Sequence, residues 1–84
     1  MNNVVMFSVA LSGEYRALSD RPLVASVDIS ASPSNAGPVY FLGDDGRDVL
    51  WQISEWHSFK SVDLSKISVK GTPGDVVSVV GGTW

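Results

Sequence analysis

The chain has 84 residues, six Lys and Arg against nine Asp and Glu for a net charge of −3, one histidine and no cysteine. Disulfides and thiolate metal sites are thereby excluded, a lone histidine does not furnish an imidazole cage, and the acidic balance is opposite to what a phosphate backbone requires. A 44% hydrophobic content supports a single packed domain over 1–84, but a chain this short buries only about 60% of its unfolded surface. Association with another chain is the expected source of further stability, so a homo-oligomer or a docked subunit is predicted.

Period-two alternation runs through the chain and helical periodicity is nearly absent, which predicts an all-β fold: a small antiparallel β-sandwich or barrel of about seven or eight short strands. The first run, Val4 to Leu11, places Val5, Phe7, Val9 and Leu11 on one face. The stretch from Met1 has neither a basic n-region nor the length to cross a bilayer, so it reads as a strand rather than a signal peptide or a membrane helix. Tyr15 to Pro22 reads as a connection with one short strand. Leu23 to Ser30 has the cleanest alternation, with Leu23, Ala25, Val27 and Ile29 inward, and the loop Ala31 to Pro38 is long enough to cross between sheets.

Val39 to Leu42 and Asp48 to Ile53 flank Gly43, Asp44, Asp45 and Gly46, a hairpin signal. A bend is expected over Ser54 to Ser58, a strand over Phe59 to Leu64, another around Ile67 and Val69, and a turn at Gly71 to Gly74. Val76 to Val80 closes the domain, and residues 81–84 read as a flexible C-terminal tail.

Asp44, Asp45 and Asp48 are the one acidic cluster, but their spacing departs from a calcium loop and suits a solvated turn. His57, near Glu55 and Ser58, supplies ingredients of acid–base chemistry without a motif that would make them converge. No catalytic residue, metal ligand or cofactor site is therefore expected, and the protein is not read as an enzyme. Trp51 shares parity with Val49 and Ile53 and belongs in the core. Trp56 and Trp84 are candidates for the surface, where tryptophan often anchors interfaces.

The segment Val62, Asp63, Leu64, Ser65, Lys66, Ile67, then Val69, Lys70, Gly71, Thr72, Pro73, Gly74, Asp75, Val76 and Val77 resembles the closing segment of small bacteriophage structural proteins. In these a D-L-S-K-I-x-V-x-G-T-x-G-D-x-V pattern ends the domain. The middle, with Arg21, Pro22, Pro33, Ser34, Asn35, Gly37, Val39, Tyr40 and Gly43, is similar to them as well. The resemblance implies a virion structural protein, foremost a capsid decoration or cement protein on the capsid surface, made in the host cytoplasm. Its implied partners are the major capsid protein or other virion subunits, with no nucleic acid and no membrane.

The expected partner interface comprises Val4, Met6, Trp56 and Trp84, because the second face of the first strand is unusually apolar. The alternative is a carbohydrate-binding or host-adhesion module of a spike or fibre, with Tyr40, Trp51 or Trp56 as its platform.

Overall fold

The computed structural model describes residues 3–83. In chain order the strands are β1 Val4–Ala10, β2 Arg16–Ala17, β3 Val24–Ala31, β4 Val39–Leu42, β5 Asp48–Trp51, β6 Trp56–Asp63, β7 Ser68–Lys70 and β8 Val76–Gly82. One 3-10 turn, Leu64–Lys66, lies between β6 and β7. The strands make two four-stranded sheets ordered β1-β8-β3-β6 and β2-β7-β4-β5, with antiparallel pairing throughout. Of the all-β antiparallel sandwich or barrel expected, the sandwich is the observed fold, and this strand order is that of a jelly roll.

Alternation builds the core. Val5 and Val9 of β1, Ala25, Val27, Ile29 and Ala31 of β3, and Val77 and Val79 of β8 meet Val39, Phe41, Trp51 and Val69 of the other sheet. Leu11, Leu18 and Leu64 plug the ends from the connections. Burying each large aliphatic side chain contributes about 1.5–3 kcal/mol against the entropy of ordering the chain.

Only β4 and β5 form a hairpin between sequential neighbours; every other connection crosses from one sheet to the other. The crossing from β3 to β4 is held by two buried polar side chains. Asn35 Nδ2 donates to the Val76 carbonyl at 3.0 Å and its Oδ1 accepts from the Val76 N–H at 2.9 Å, so the amide acts as an extra ladder rung for β8. The Asp75 carboxylate accepts the Ala36 N–H at 2.9 and 3.0 Å and the Gly37 N–H at 3.2 Å. Asp75→Ala strands both donors and is expected to cost about 2–3 kcal/mol, read as a lower urea midpoint at unchanged m-value. Asp75→Asn, which keeps one acceptor oxygen, should lose less.

Three boundaries differ from the sequence reading, each for a local reason. The bend expected over Ser54 to Ser58 is a tight turn closed by Glu55 N–H to Gln52 O at 3.0 Å and by Gln52 N–H to Glu55 Oε1 at 2.9 Å, so β6 already starts at Trp56. Leu64, expected to end a strand, opens the 3-10 turn because Asp63 caps it. Its Oδ1 accepts the Ser65 N–H at 3.0 Å, the Ser65 hydroxyl at 2.7 Å and the Leu23 N–H at 3.2 Å.

Of the expected flexible tail, Gly81 and Gly82 are instead the last residues of β8, paired with Val5 and Val4 on one side and with Val27 and Ser26 on the other. Glycine permits this because the strands approach too closely for a side chain at Gly81. Trp84 lies outside the described residues.

The Ser65 hydroxyl foremost, then the Ser65 and Leu23 N–H groups, hold the Asp63 carboxyl below its ordinary range. A carboxyl lowered in the folded state adds stability above its unfolded pKa and loses it as pH falls through the folded value. The melting temperature should therefore drop on acidification below about pH 4, and Asp63→Asn should flatten that dependence.

Candidate interaction surface

Of the eight large hydrophobic side chains that are exposed among the described residues, five lie on the outward face of the β1-β8-β3-β6 sheet, and the other three, Val49, Leu50 and Ile53, lie on or beside β5. Val4 and Met6 of β1 are 71% and 68% exposed, Val80 of β8 is 50% exposed, and Val24 of β3 is also exposed. Register brings Met6 and Val80 together, whereas Val24 pairs with Asp63 at the end of β3. Met6 sits opposite Val80, and Val4 opposite Gly82, which adds no side chain of its own. The next row along this face is Ser8, Ser78, Ser30 and Trp56. Trp56, 60% exposed, thus shares the face with Val4 and Met6 but stands at the opposite edge, three strand spacings or about 14 Å across the sheet from Ser8, and farther from Met6 and Val4. Val24 and Val80 were not singled out from sequence. The signal for Val80 was present in Val76-Val77 and Val79-Val80, where apolar residues at both parities demand a second apolar face.

The four sheet edges are treated differently by the chain. β2 has two residues and β5 has four. β6 carries Lys60 and a bulge between its Ala25 and Val27 pairings, where Ser61 adopts φ 52 and its N–H donates to the Ser26 hydroxyl oxygen. β1 runs seven residues in unbroken register against β8, and no charged residue occurs from Asn3 to Gly13. Short strands, bulges and lysines are the usual protections of an edge, and β1 has none of them.

A second cluster lies where the β4–β5 hairpin diverges from β6. Trp51, 4% exposed, stacks on Phe41 at 3.7 Å between ring centroids, lies parallel to Phe59 at 6.4 Å, and receives the His57 ring edge-on at 4.6 Å. Above it opens a cleft of about 570 Å³, lined also by Arg47, Val49 and Ile67. His57 Nε2 lies 2.6 Å from Glu55 Oε2, and this contact, with the Gln52 N–H, holds the Glu55 carboxyl below its ordinary range. Residues 55 and 57 share a face across one intervening residue, so they meet. Ser58 turns the other way and donates to Asp28 Oδ1 at 2.5 Å. Trp51 is therefore a core residue and offers no open ring face to a sugar.

On the outward face of the other sheet, the Lys70 ammonium lies 4.7 Å from the Tyr15 ring centroid and 5.6 Å from that of Tyr40, and the Tyr15 hydroxyl donates to Asp48 Oδ2 at 2.9 Å. Burial foremost, then the Asp48 contact, pushes the Tyr15 phenol up. With Asp48 engaged there and Asp45 turned back on the Arg47 N–H at 3.1 Å, these two acidic residues of the hairpin point to separate partners. Among the described residues, no three acidic or imidazole side chains gather as a metal site, and no helix is long and apolar enough to cross a membrane.

Fold and surface together define a small jelly-roll domain whose outer sheet ends in an apolar, unprotected edge. No protein-family model matches the chain, and no curated protein matches it. It is similar to a solved protein of Bacillus endospore appendages, which are described as a novel family of disulfide-linked pili. The TM-score is 0.61 at 13% identity, over 100% of this chain and 88% of that one. At that identity the likeness establishes the shared fold.

Proposed function

We propose that this chain is a structural subunit that works through protein–protein contacts in a multi-copy assembly. The observation that carries the reading is the exposed apolar group Val4, Met6 and Val80 beside the uncharged edge of β1. A contiguous surface of this kind favours a covered state, because water is released from it on association. The similarity to a pilus protein supports a role in assembly, although that protein's appendages are disulfide-linked and this chain, having no cysteine, would assemble without disulfides.

The finer reading follows the resemblance to phage structural proteins: a decoration subunit on a virion capsid, bound to the major capsid protein and stabilising the shell through binding energy. The jelly-roll order agrees with that reading by analogy of fold. Val80→Lys places a charge in the apolar group, between Met6 and Asp28 in register, without touching the core. It is expected to weaken retention on particles at least tenfold while leaving the melting temperature within a few degrees. Full retention would remove this face as the contact.

A glycan-binding module is the second reading, favoured by the Tyr15, Tyr40 and Lys70 cluster next to a shallow hollow of about 330 Å³ lined by Gly13, Pro38 and Thr72. Glycan binding abolished by Tyr40→Ala would support it, and an empty glycan array would remove it.

A further inference from the structure

We propose that β1 pairs antiparallel with β1 of a second copy across a two-fold axis at Met6, joining the two outer sheets into one eight-stranded sheet. This rests on the reading of the chain as an assembly subunit and names its first contact.

Hydrogen-bond parity locates the contact. The Leu11 N–H donates to the Asp75 carbonyl at 2.8 Å and the Thr83 N–H to the Asn3 carbonyl at 2.9 Å, so the odd-numbered residues of β1 face β8 in the alternating antiparallel ladder. The N–H and C=O groups of Val4, Met6 and Ser8 consequently turn outward. The Ala10 carbonyl at the end of this row is taken by Arg16 Nη1 at 3.4 Å. The uncovered set is therefore centred on Met6, and a two-fold axis there matches Val4 with Ser8 of the partner subunit and Met6 with Met6 of the partner subunit. Each matched pair exchanges two main-chain hydrogen bonds.

A second copy is the occupant that the edges select. β2 and β5 are too short to match seven residues, and the bulge at Ser61 breaks the edge of β6, so among the chain's own strands only β1 fits β1. The pairing also sets no charge against a charge, although each chain carries a net −3. Both outward faces then lie on one side, and the Val4, Met6 and Val80 groups of the two copies form one apolar stripe. Seven strand residues span about 24 Å, and the smallest dimension of the domain is 18 Å, giving about 430 Å² per copy. That is well short of the about 800 Å² per partner in a standard stable interface. The dimer is accordingly reversible and concentration-dependent.

The test uses the absence of native cysteine. In a hydrogen-bonded antiparallel pair the Cα atoms are about 5.5 Å apart, within disulfide range. Met6→Cys oxidised at high protein concentration, which a small reversible interface requires, should give a disulfide dimer as the major species. Thr72→Cys, exposed on the turn before β8, should not. Ser8→Pro removes an outward N–H without touching the β8 ladder and should shift sedimentation of the cysteine-free protein toward monomer. Should Ser8→Pro misfold, Met6→Lys serves the same purpose by setting two cations face to face. Oligomers in sedimentation with no more cross-linking at Met6→Cys than at Thr72→Cys would overturn the β1 pairing and leave the assembly reading standing. A monomer throughout would overturn the pairing, and the assembly reading would still be judged by particle retention of Val80→Lys.

Discussion

Gly81→Ala is expected to prevent stable folding. A Cβ at this position would lie 2.6 Å from the Val27 Cα and closer still to the Ser26 carbonyl oxygen, and both are backbone atoms of β3 that no rotamer change can move. β8 would have to leave β3, and β8 is the strand that ties β1 to the rest of its sheet. The loss should exceed about 4 kcal/mol, the range reserved for disrupted cores and backbones, which would exhaust a domain at the lower end of the about 5–15 kcal/mol range, where so short a chain belongs. Gly13→Ala is the control, because nothing lies within 4 Å of a Cβ there, and it should stay within about 0.5 kcal/mol. Circular dichroism and urea titration of the two variants decide the matter. A Gly81→Ala protein that melts like the parent would mean that β8 and β3 are not paired in this register.

Trp51→Ala is expected to cost about 3–5 kcal/mol. The ring is 4% exposed and sandwiched between Phe41 and Phe59, so its removal enlarges the cleft above it and strips packing from both sheets at once. Trp51→Phe keeps a flat ring against Phe41 and should recover most of the stability. Urea midpoints measure both variants, and a loss under about 1 kcal/mol for the alanine variant would show that the aromatic cluster is not part of the load-carrying core.

Most of the strands were legible: the alternation of Leu23 to Ser30 leaves a single choice of inward face, and Val4 to Leu11 reads as a strand even though both of its faces are apolar. Trp51 is buried as its parity predicts, whereas Val49 and Ile53 of the same parity are exposed. What escaped was set by contacts distant in sequence. Gly81 and Gly82 look like a loose end until β3 and β1 are known to flank them. The 3-10 turn at Leu64 depends on Asp63 reaching both Ser65 and Leu23, and the second of these is 40 residues away.

The candidate surface was half legible. The unpartnered face of β1 could be read from Val4 and Met6 alone. The contribution of Val80, and the separation of Trp56 from that group by a row of serines, required the register of four strands. The pairing of Glu55 with His57 was within reach, since residues two apart in a strand share a face, but the tight turn at Gln52 that starts β6 at Trp56 was not visible.

Amide hydrogen exchange in β1, followed residue by residue with concentration, tests association through this edge most directly. The N–H groups of Met6 and Ser8 face away from β8, whereas those of Phe7 and Val9 face it and report the stability of the fold itself. On raising the protein from about 10 µM to about 500 µM, across the range expected of a small interface, Met6 and Ser8 should become strongly protected while Phe7 and Val9 stay protected at both. Equal and rapid exchange of Met6 and Ser8 at every concentration, with Phe7 and Val9 protected, would contradict association through β1.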